Sequence, residues 1–160
     1  MKQLRVLNLY DNFFTGTLPV NTFSLHASSL QELSIGMNEL KGSIPSLTSS
    51  SAASKLTYLN LGANQFTGEI PSTINEFTSL KSLVLWQNML TGTIPSTLGN
   101  MLSLEMFQLL HNDVIRSMPN ETCNLRNKNL DILSSDCKSL LEGIPVKVTC
   151  SCCTACFSGY

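Results

Sequence analysis

Six cysteines are the side chains of this sequence best suited to covalent or metal chemistry, and all six lie in its last quarter. They are Cys123, Cys137, Cys150, Cys152, Cys153 and Cys156. Cysteines confined to one short segment favour up to three disulfides and an oxidising compartment, with the pairing left open. The competing hypotheses are a metal site formed by the last four cysteines and partly free thiols. Because tetrahedral zinc sites usually combine two separated hairpins, the disulfide hypothesis is the stronger.

Histidine is the other residue type with chemical potential, since nucleophilic catalysis needs a base beside the nucleophile. The sequence holds two histidines, His26 and His111. Its acidic residues are scattered singly and each glycine is isolated, so neither paired carboxylates nor a phosphate-binding loop is indicated. We therefore expect a protein that is not an enzyme and that needs no cofactor and no metal ion.

The charge balance argues against two kinds of partner. Lys and Arg number 10 and Asp and Glu number 11 in a chain of 160 residues, which gives a formal net charge of −1. Such a chain offers no electrostatic footprint for nucleic acid or for an anionic membrane surface. It also contains no apolar run long enough to span a bilayer. The remaining expected partner is a protein or peptide, or a glycan.

The elements that must position these side chains are revealed by the prolines. Six prolines follow one another at intervals of 24 or 26 residues: Pro19, Pro45, Pro71, Pro95, Pro119 and Pro145. Aligning the chain on them brings the pattern LxxLxLxxNxFxGxIP of residues 56–71 into register with the first, second and fourth units. The fifth unit has Arg116 in place of the glycine. The sixth unit is recognised mainly because its leucines and Pro145 keep the spacing of the earlier units. A chain with such a period is predicted to be a solenoid.

Each half of the unit has a physical role. The LxL alternation has the period of a short strand, and stacked units place such strands side by side in a parallel sheet. An asparagine follows where the chain turns, and its amide can donate to and accept from backbone groups that are out of water. We expect a structural ladder formed by Asn12, Asn38, Asn64, Asn88 and Asn112.

The repeated pattern resembles that of the leucine-rich repeat family, and its LxGxIP half resembles the plant-type subclass. The resemblance covers about residues 4–145. It implies an α/β solenoid of about six rungs, with a parallel concave β-sheet and short convex strands or 3₁₀ turns. We expect five repeats in residues 1–119, and a degenerate sixth repeat with a cysteine-rich C-terminal cap in residues 120–160. The N-terminal cap usual in such families is missing, so the sequence is expected to be a fragment.

The cysteine-rich end has a narrower resemblance. The arrangement DC followed by CSCCTACF is similar to the C-terminal segment of leucine-rich repeat proteins predicted in diatoms and related algae. Cys123 lies four residues past Pro119 and Cys150 lies five past Pro145. This matching phase indicates a bridge between adjacent rungs.

The concave face is the candidate binding surface, because residues between and just after the strand leucines point outward from it. The candidate ligand-binding residues are Tyr10, Tyr58, Asn60, Trp86, Gln87, Met106, Gln108, Leu110 and His111. Trp86 and Leu110 occupy equivalent positions one rung apart and are expected to touch. Exposed aromatic and Met side chains on a rigid sheet are typical of a protein-binding hot spot.

The favoured function is a non-catalytic module that binds a protein or peptide ligand, or a glycan. The resemblance implies the ectodomain of a receptor-like protein, or a secreted inhibitor of wall-degrading enzymes. Two alternatives are the extracellular portion of a receptor kinase whose catalytic domain lies elsewhere, and a structural spacer or self-assembling surface protein. We expect the secretory pathway and an extracellular or cell-surface location. Asn120, in the sequence Asn120-Glu121-Thr122, is then a candidate glycosylation site.

Overall fold

A parallel β-sheet of seven strands forms the concave face of a solenoid. The computed structural model describes residues 4–20, 22, 29–46, 55–138 and 148–158, and of residues 137, 138, 157 and 158 the backbone alone. With all strands numbered along the chain, the sheet order is β1 (Val6–Asn8), β3 (Glu32–Ser34), β5 (Tyr58–Asn60), β7 (Ser82–Val84), β9 (Met106–Gln108), β11 (Ile132–Lys138) and β13 (Ala155–Ser158). Sheet order equals chain order because each repeat adds one strand beside the last. The predicted α/β solenoid is confirmed.

The second half of each repeat builds the opposite, convex side. Its parallel sheet contains β2 (Thr15–Thr17), β4 (Glu39–Ser43), β6 (Gln65–Glu69) and β8 (Met89–Thr91). Further along, β10 (Arg116–Ser117) pairs with β12 (Val148–Thr149). A single bridge between Thr93 and Ile115 links the two convex groups. The short convex strands predicted from the LxGxIP half are therefore present.

Short helices follow the prolines on the convex side. The 3₁₀ helices Ser72–Glu76 and Ser96–Asn100 begin directly after Pro71 and Pro95, whose φ angles are −64° and −67°. Proline suits this position because its ring fixes φ near these values and it has no N–H to leave unpaired. The helix α1 (Asn120–Asn124) and the 3₁₀ helix Leu125–Asn127 complete this side. Within the described ranges, every helix is too short and too polar to cross a membrane.

The core runs between the two sheets along the whole solenoid. Leu59, Leu61, Leu83 and Leu85 are fully buried, because the LxL alternation sends both leucines of a strand to the same inner face. Phe66, Phe77 and Phe107 are also fully buried. Repeats two to five thus bury equivalent positions against their neighbours, whereas Leu4 and Phe14 of the first repeat are exposed.

The concave sheet contains seven strands, one more than the six rungs predicted from the sequence. We define a rung as one repeat starting at its first leucine, so that rungs one to six begin at Leu4, Leu30, Leu56, Leu80, Leu104 and Leu130. The seventh strand, β13, starts inside the cysteine run and pairs with β11. Thr154 holds it there: its backbone N–H donates to the Leu133 carbonyl at 2.8 Å, and its Oγ1 accepts the Leu133 N–H at 2.9 Å.

One turn of the repeat needs a left-handed backbone. Gly16, Gly42, Gly68 and Gly92 have φ angles of 95°, 84°, 77° and 72°. Steric crowding is not the reason for a glycine at position 16, because a Cβ added to Gly16 would meet nothing within 4 Å. The reason is the backbone conformation, since residues with a Cβ disfavour positive φ. Arg116 occupies the equivalent position of rung five and keeps a φ of 77° without being glycine.

Candidate functional site

Strand pairing arranges the outward side chains of the concave sheet in columns. The first column is Val6, Glu32, Tyr58, Ser82, Met106 and Ile132, and the second is Asn8, Ser34, Asn60, Val84, Gln108 and Ser134. The third column, two residues further along each repeat, is Tyr10, Gly36, Gly62, Trp86 and Leu110. The fourth column is Asp11, Met37, Ala63, Gln87 and His111. The nine candidate ligand-binding residues all fall in these four columns.

Trp86 lies across the third column. A Cβ added to Gly62 would stand 2.6 Å from Nε1 and 2.7 Å from Cδ1 of Trp86, so the indole covers the glycine backbone. We expected Trp86 to touch Leu110 on the following rung. The structure shows a close approach to the preceding rung, where Gly62 leaves room for the ring, and the contact with Leu110 stays a prediction.

Asn60 holds a turn and is largely buried. Its side chain is 6% exposed, and its Oδ1 accepts the backbone N–H of Gly62 at 2.9 Å. The same oxygen would lie 2.7 Å from a Cβ on Gly36, so the amide is folded against the preceding rung. Asn60 also lines the concave pocket, so its assignment as a binding residue stays a prediction.

The fourth column turns the chain out of each strand. Its residues have left-handed φ angles: Asp11 58°, Met37 51°, Ala63 50°, Gln87 53° and His111 57°. The carbonyl groups of the last four accept from the asparagine N–H of the preceding rung, as in the 3.1 Å bond from Asn88 N–H to His111 O. Gln87 is exposed and His111 is half-buried, so both reach the concave surface. The sequence does not reveal this turn, because only Asp11 and His111 among the five are of residue types enriched at positive φ.

The ladder asparagines link the rungs behind the concave face. Asn88 Nδ2 donates to the carbonyl oxygens of Leu85 at 3.2 Å and of Leu61, on the preceding rung, at 3.1 Å. Its Oδ1 accepts the backbone N–H of Phe66 at 3.0 Å. Equivalent bonds to their own and the preceding rung are made by Asn38, Asn64 and Asn112. Asn12 donates to the carbonyls of Leu9 and Tyr10 in its own rung.

A shallow pocket of about 340 Å³ opens on the concave face of rungs one to three. It is lined by Val6, Leu7, Asn8, Tyr10, Glu32, Ser34, Tyr58 and Asn60. Of these, Tyr10, Tyr58 and Asn60 were predicted to belong to the site, whereas Glu32 and Val6 were missed. The signal that could have found Glu32 is its place in the first column, where it is the one charged residue.

The cysteine cap is crosslinked. Cys123 is bonded to Cys152 with a Cα–Cα distance of 5.5 Å, and Cys150 to Cys153 with 5.6 Å. The disulfide that joins α1 to the last segment therefore contains Cys152. The similar spacing of Cys123 and Cys150 from their preceding prolines had indicated Cys150 instead. Cys156 is disulfide-bonded as well. Since sulfurs in disulfides are no longer thiolate ligands, the alternative four-cysteine metal site is not formed.

Three candidate residues lie away from the concave face or outside the description. Asn120 is exposed at the first position of α1, and Thr122 of its sequon is fully buried with no hydrogen-bond partner for Oγ1. The side chain of Cys137 and the whole of His26 lie outside the described residues. The glycosylation assignment of Asn120 therefore stays a prediction.

Comparisons with known proteins give the family. The sequence profile of the leucine-rich repeat matches residues 3–25, 55–77 and 79–101, whereas comparison with curated proteins gave no significant match. The plant peptide hormone receptor RGFR1, solved in complex with RGF2, is 37% identical with a TM-score of 0.74, and the match covers 83% of this chain and 21% of the receptor. The Arabidopsis receptor kinase HAESA, solved with the peptide hormone IDA and the co-receptor SERK1, is 28% identical with a TM-score of 0.71, covering 91% and 22%.

A third similar structure is matched over most of its length. The BIR3–SERK2 complex from Arabidopsis thaliana contains a chain 30% identical to this one with a TM-score of 0.67, covering 93% of this chain and 73% of that one. By contrast, this chain spans about a fifth of the two hormone receptors. The repeated residues, the stacked parallel strands and these matches show that the chain belongs to the leucine-rich repeat family, in its plant-type subclass.

Proposed function

We propose that this chain is a non-catalytic binding module whose concave sheet binds an extended peptide segment of a protein ligand. The observation that carries the proposal is the set of large uncharged side chains on rungs three to five. Tyr58, Trp86, Met106, Gln108 and Leu110 are all half-buried there. Partly exposed aromatic and apolar groups held on a rigid framework bind protein partners at low cost in conformational entropy.

The size of the sheet suits an extended peptide. Seven strands, spaced about 4.8 Å apart, cover about 29 Å, which is the length of roughly nine extended residues. A peptide lying across the strands would cross one rung about every 1.5 residues. Successive side chains could therefore meet different rungs of the same column.

Two of the similar structures support a peptide over a glycan. RGFR1 was solved in complex with RGF2, and HAESA with the peptide hormone IDA. These ligands belong to those proteins, and the inference for this chain rests on the shared fold together with the concave columns. Fold alone does not fix a ligand, so the proposal needs a direct test.

The test is selection of a displayed random-peptide library against the full chain. Enriched peptides are then measured against Trp86→Ala and Leu110→Ala. We expect each substitution to weaken binding by at least tenfold, because a hot-spot side chain contributes about 2 kcal/mol or more. Met89→Ala is the matched control: Met89 is 45% exposed on the convex strand β8 and should leave binding unchanged.

Three results would overturn the proposal. The first is a library that yields no binder, and the second is binders that tolerate both concave substitutions while the variants remain folded. The third is a set of peptides displaced by cell-wall oligosaccharides added in solution, which would favour a glycan ligand. Circular dichroism and the unfolding midpoint of each variant establish that the solenoid is intact.

We also propose that the chain passes through the secretory pathway and is modified at Asn120. The disulfides of the cap support an oxidising compartment, and Asn120 is exposed. Expression in a secreting eukaryotic cell should give a product whose mass falls on treatment with a glycan-removing amidase. Asn120→Gln should abolish the mass shift. A secreted wild-type protein of unmodified mass would contradict the assignment.

A further inference from the structure

The pocket on rungs one to three differs chemically from the rest of the concave face. Strand pairing places Glu32 between Val6 on one side and Tyr58 on the other. Adjacent strands lie about 4.8 Å apart, so these three side chains are immediate neighbours in one column. Tyr10 lines the same pocket from the third column. One carboxylate is thus flanked by an aliphatic group and by one aromatic ring, and a second aromatic ring lines the same pocket.

The Glu32 carboxylate has no partner within the part of the chain that the structure describes. Among the described residues, no ion pair and no hydrogen bond engages its carboxylate, and the ion pair that does form on the same side joins Lys81 to Glu105 at 2.7 Å. Arg5, the cation of rung one, is not a lining residue of the pocket. The carboxylate is exposed to solvent and remains free to accept hydrogen bonds from a ligand.

The two tyrosines are held differently. The Tyr10 backbone N–H donates to Asn8 Oδ1 at 3.0 Å and its hydroxyl contacts Met37 Sδ, which fixes the ring at the edge of the pocket. Tyr58 is half-buried beside Glu32. A cation next to a carboxylate and over an aromatic face gains from both, and guanidinium stacks on tyrosine more often than ammonium does.

We propose that this pocket binds the side chain of an arginine in a peptide ligand. The planar guanidinium would donate to the Glu32 carboxylate and lie against Tyr58, while the methylene stem would pack on Val6. A shallow pocket of about 340 Å³ is at the small end of the range for ligand sites and has room for one arginine side chain. The inference rests on the proposed function, because it identifies one residue of the peptide that the concave face binds.

Charge and shape select this ligand over the other classes. Glu32 is the one charged side chain among the described residues that line the pocket, so acidic and phosphorylated side chains would meet repulsion. A purely apolar side chain would leave the carboxylate desolvated without a partner. Lysine carries the same charge, but its compact ammonium cannot make two parallel hydrogen bonds to a carboxylate.

The test is a titration of the isotope-labelled full chain with Nα-acetyl-arginine amide, followed by the backbone amide signals in two-dimensional NMR. We expect saturable shifts at Val6, Glu32, Ser34 and Tyr58, with a dissociation constant in the millimolar range usual for one side chain. Nα-acetyl-citrulline amide has nearly the same shape without the charge and should shift these signals little. The lysine analogue should bind several-fold more weakly than the arginine probe.

Matched variants separate the pocket from nonspecific attraction. Glu32→Gln should weaken the arginine probe about tenfold, and Tyr58→Ala should weaken it more than Tyr58→Phe, which keeps the aromatic face. Glu39→Gln removes another exposed carboxylate, from the convex strand β4, and should have no effect. Equal shifts with the citrulline probe, or full binding by Glu32→Gln, would overturn the proposal.

Failure here is distinguishable from failure of the peptide-binding function. If library peptides bind and depend on Trp86 and Leu110, while the arginine probe leaves rungs one to three unshifted, the binding function stands and the arginine pocket is rejected. If the probe binds as expected and no library peptide does, the pocket stands as a cation site and the peptide function is rejected. In a library that supports both, the enriched peptides should share an arginine.

Discussion

The backbone N–H of Asn112 donates to Oδ2 of Asp136 at 3.0 Å, on the last rung that carries a ladder asparagine. On the earlier rungs the same N–H donates to a carbonyl of the next left-handed turn, as Asn88 does to His111 O at 3.1 Å. Rung six has no such turn, because β11 continues as a strand to Lys138. A buried carboxylate, 4% exposed, therefore replaces a missing backbone carbonyl and ends the ladder.

Replacing Asp136 by leucine should destabilise the protein. The substitution would leave the Asn112 N–H buried without an acceptor, which costs about 1–3 kcal/mol in the free energy of unfolding. Asp136→Asn keeps an oxygen at the same place and should cost less stability than Asp136→Leu. Urea unfolding followed by the fluorescence of the single tryptophan, Trp86, measures both. A leucine variant as stable as the asparagine variant would show that the Asp136 bond is dispensable.

Replacing Arg116 by glycine should stabilise the protein. Arg116 has a φ of 77°, a conformation that costs an L residue about 1–2 kcal/mol. Glycine relieves this cost but loses more entropy on folding, so the net gain should be about 0.5–1 kcal/mol. Ser117→Gly, at the next position of β10, lacks the compensating relief and should destabilise by about that amount. A shift of the urea midpoint in the same direction for both variants would contradict this account.

The sequence period was sufficient to predict most of the architecture. Leucines, asparagines and prolines at fixed intervals predict buried columns, an asparagine ladder and convex turns, because equivalent residues of each rung pack against the neighbouring rungs. Trp86 shows where this reasoning ends, since the ring direction depends on Gly62 of the preceding rung and no single repeat contains that information. Asp136 shows the same limit at the end of the array: a residue that replaces a missing turn has no equivalent in earlier repeats. The pairing of Cys123 with Cys152 depends on where β13 joins the sheet, and β13 carries no leucine pattern.

Gly99 should not tolerate a larger side chain. It lies in the 3₁₀ helix Ser96–Asn100, packed against α1, and an added Cβ would overlap Cβ of Glu121 and stand 2.8 Å from its carbonyl carbon. Because the neighbour is backbone, Gly99→Ala should cost about 1–3 kcal/mol in the free energy of unfolding. Asn75→Ala, at the equivalent position one rung earlier, is the control and should change stability by less than about 0.5 kcal/mol. Similar effects of the two substitutions would show that α1 can move away.

The two described disulfides should contribute unequally to stability. Cys123–Cys152 spans 29 residues of sequence and ties α1 to the last segment, whereas Cys150–Cys153 spans only 3. In the chain-entropy model, the longer loop restricts the unfolded chain by about 3.5 kcal/mol and the shorter by about 1.5 kcal/mol. The Cys123→Ala, Cys152→Ala double variant should therefore unfold at a clearly lower urea concentration than the Cys150→Ala, Cys153→Ala double variant.

Removing both cysteines of a pair avoids leaving a free thiol that could exchange with the remaining disulfides. Each double variant is compared with wild type by reversible urea unfolding without reductant, and its remaining disulfides are verified by mass. Since Cys123, Cys150, Cys152 and Cys153 all pack against the core, lost packing affects both variants and does not by itself predict a ranking. Equal losses, or a larger loss for the Cys150 and Cys153 pair, would show that local packing of the cap, and not the closure of the long loop, dominates its stability.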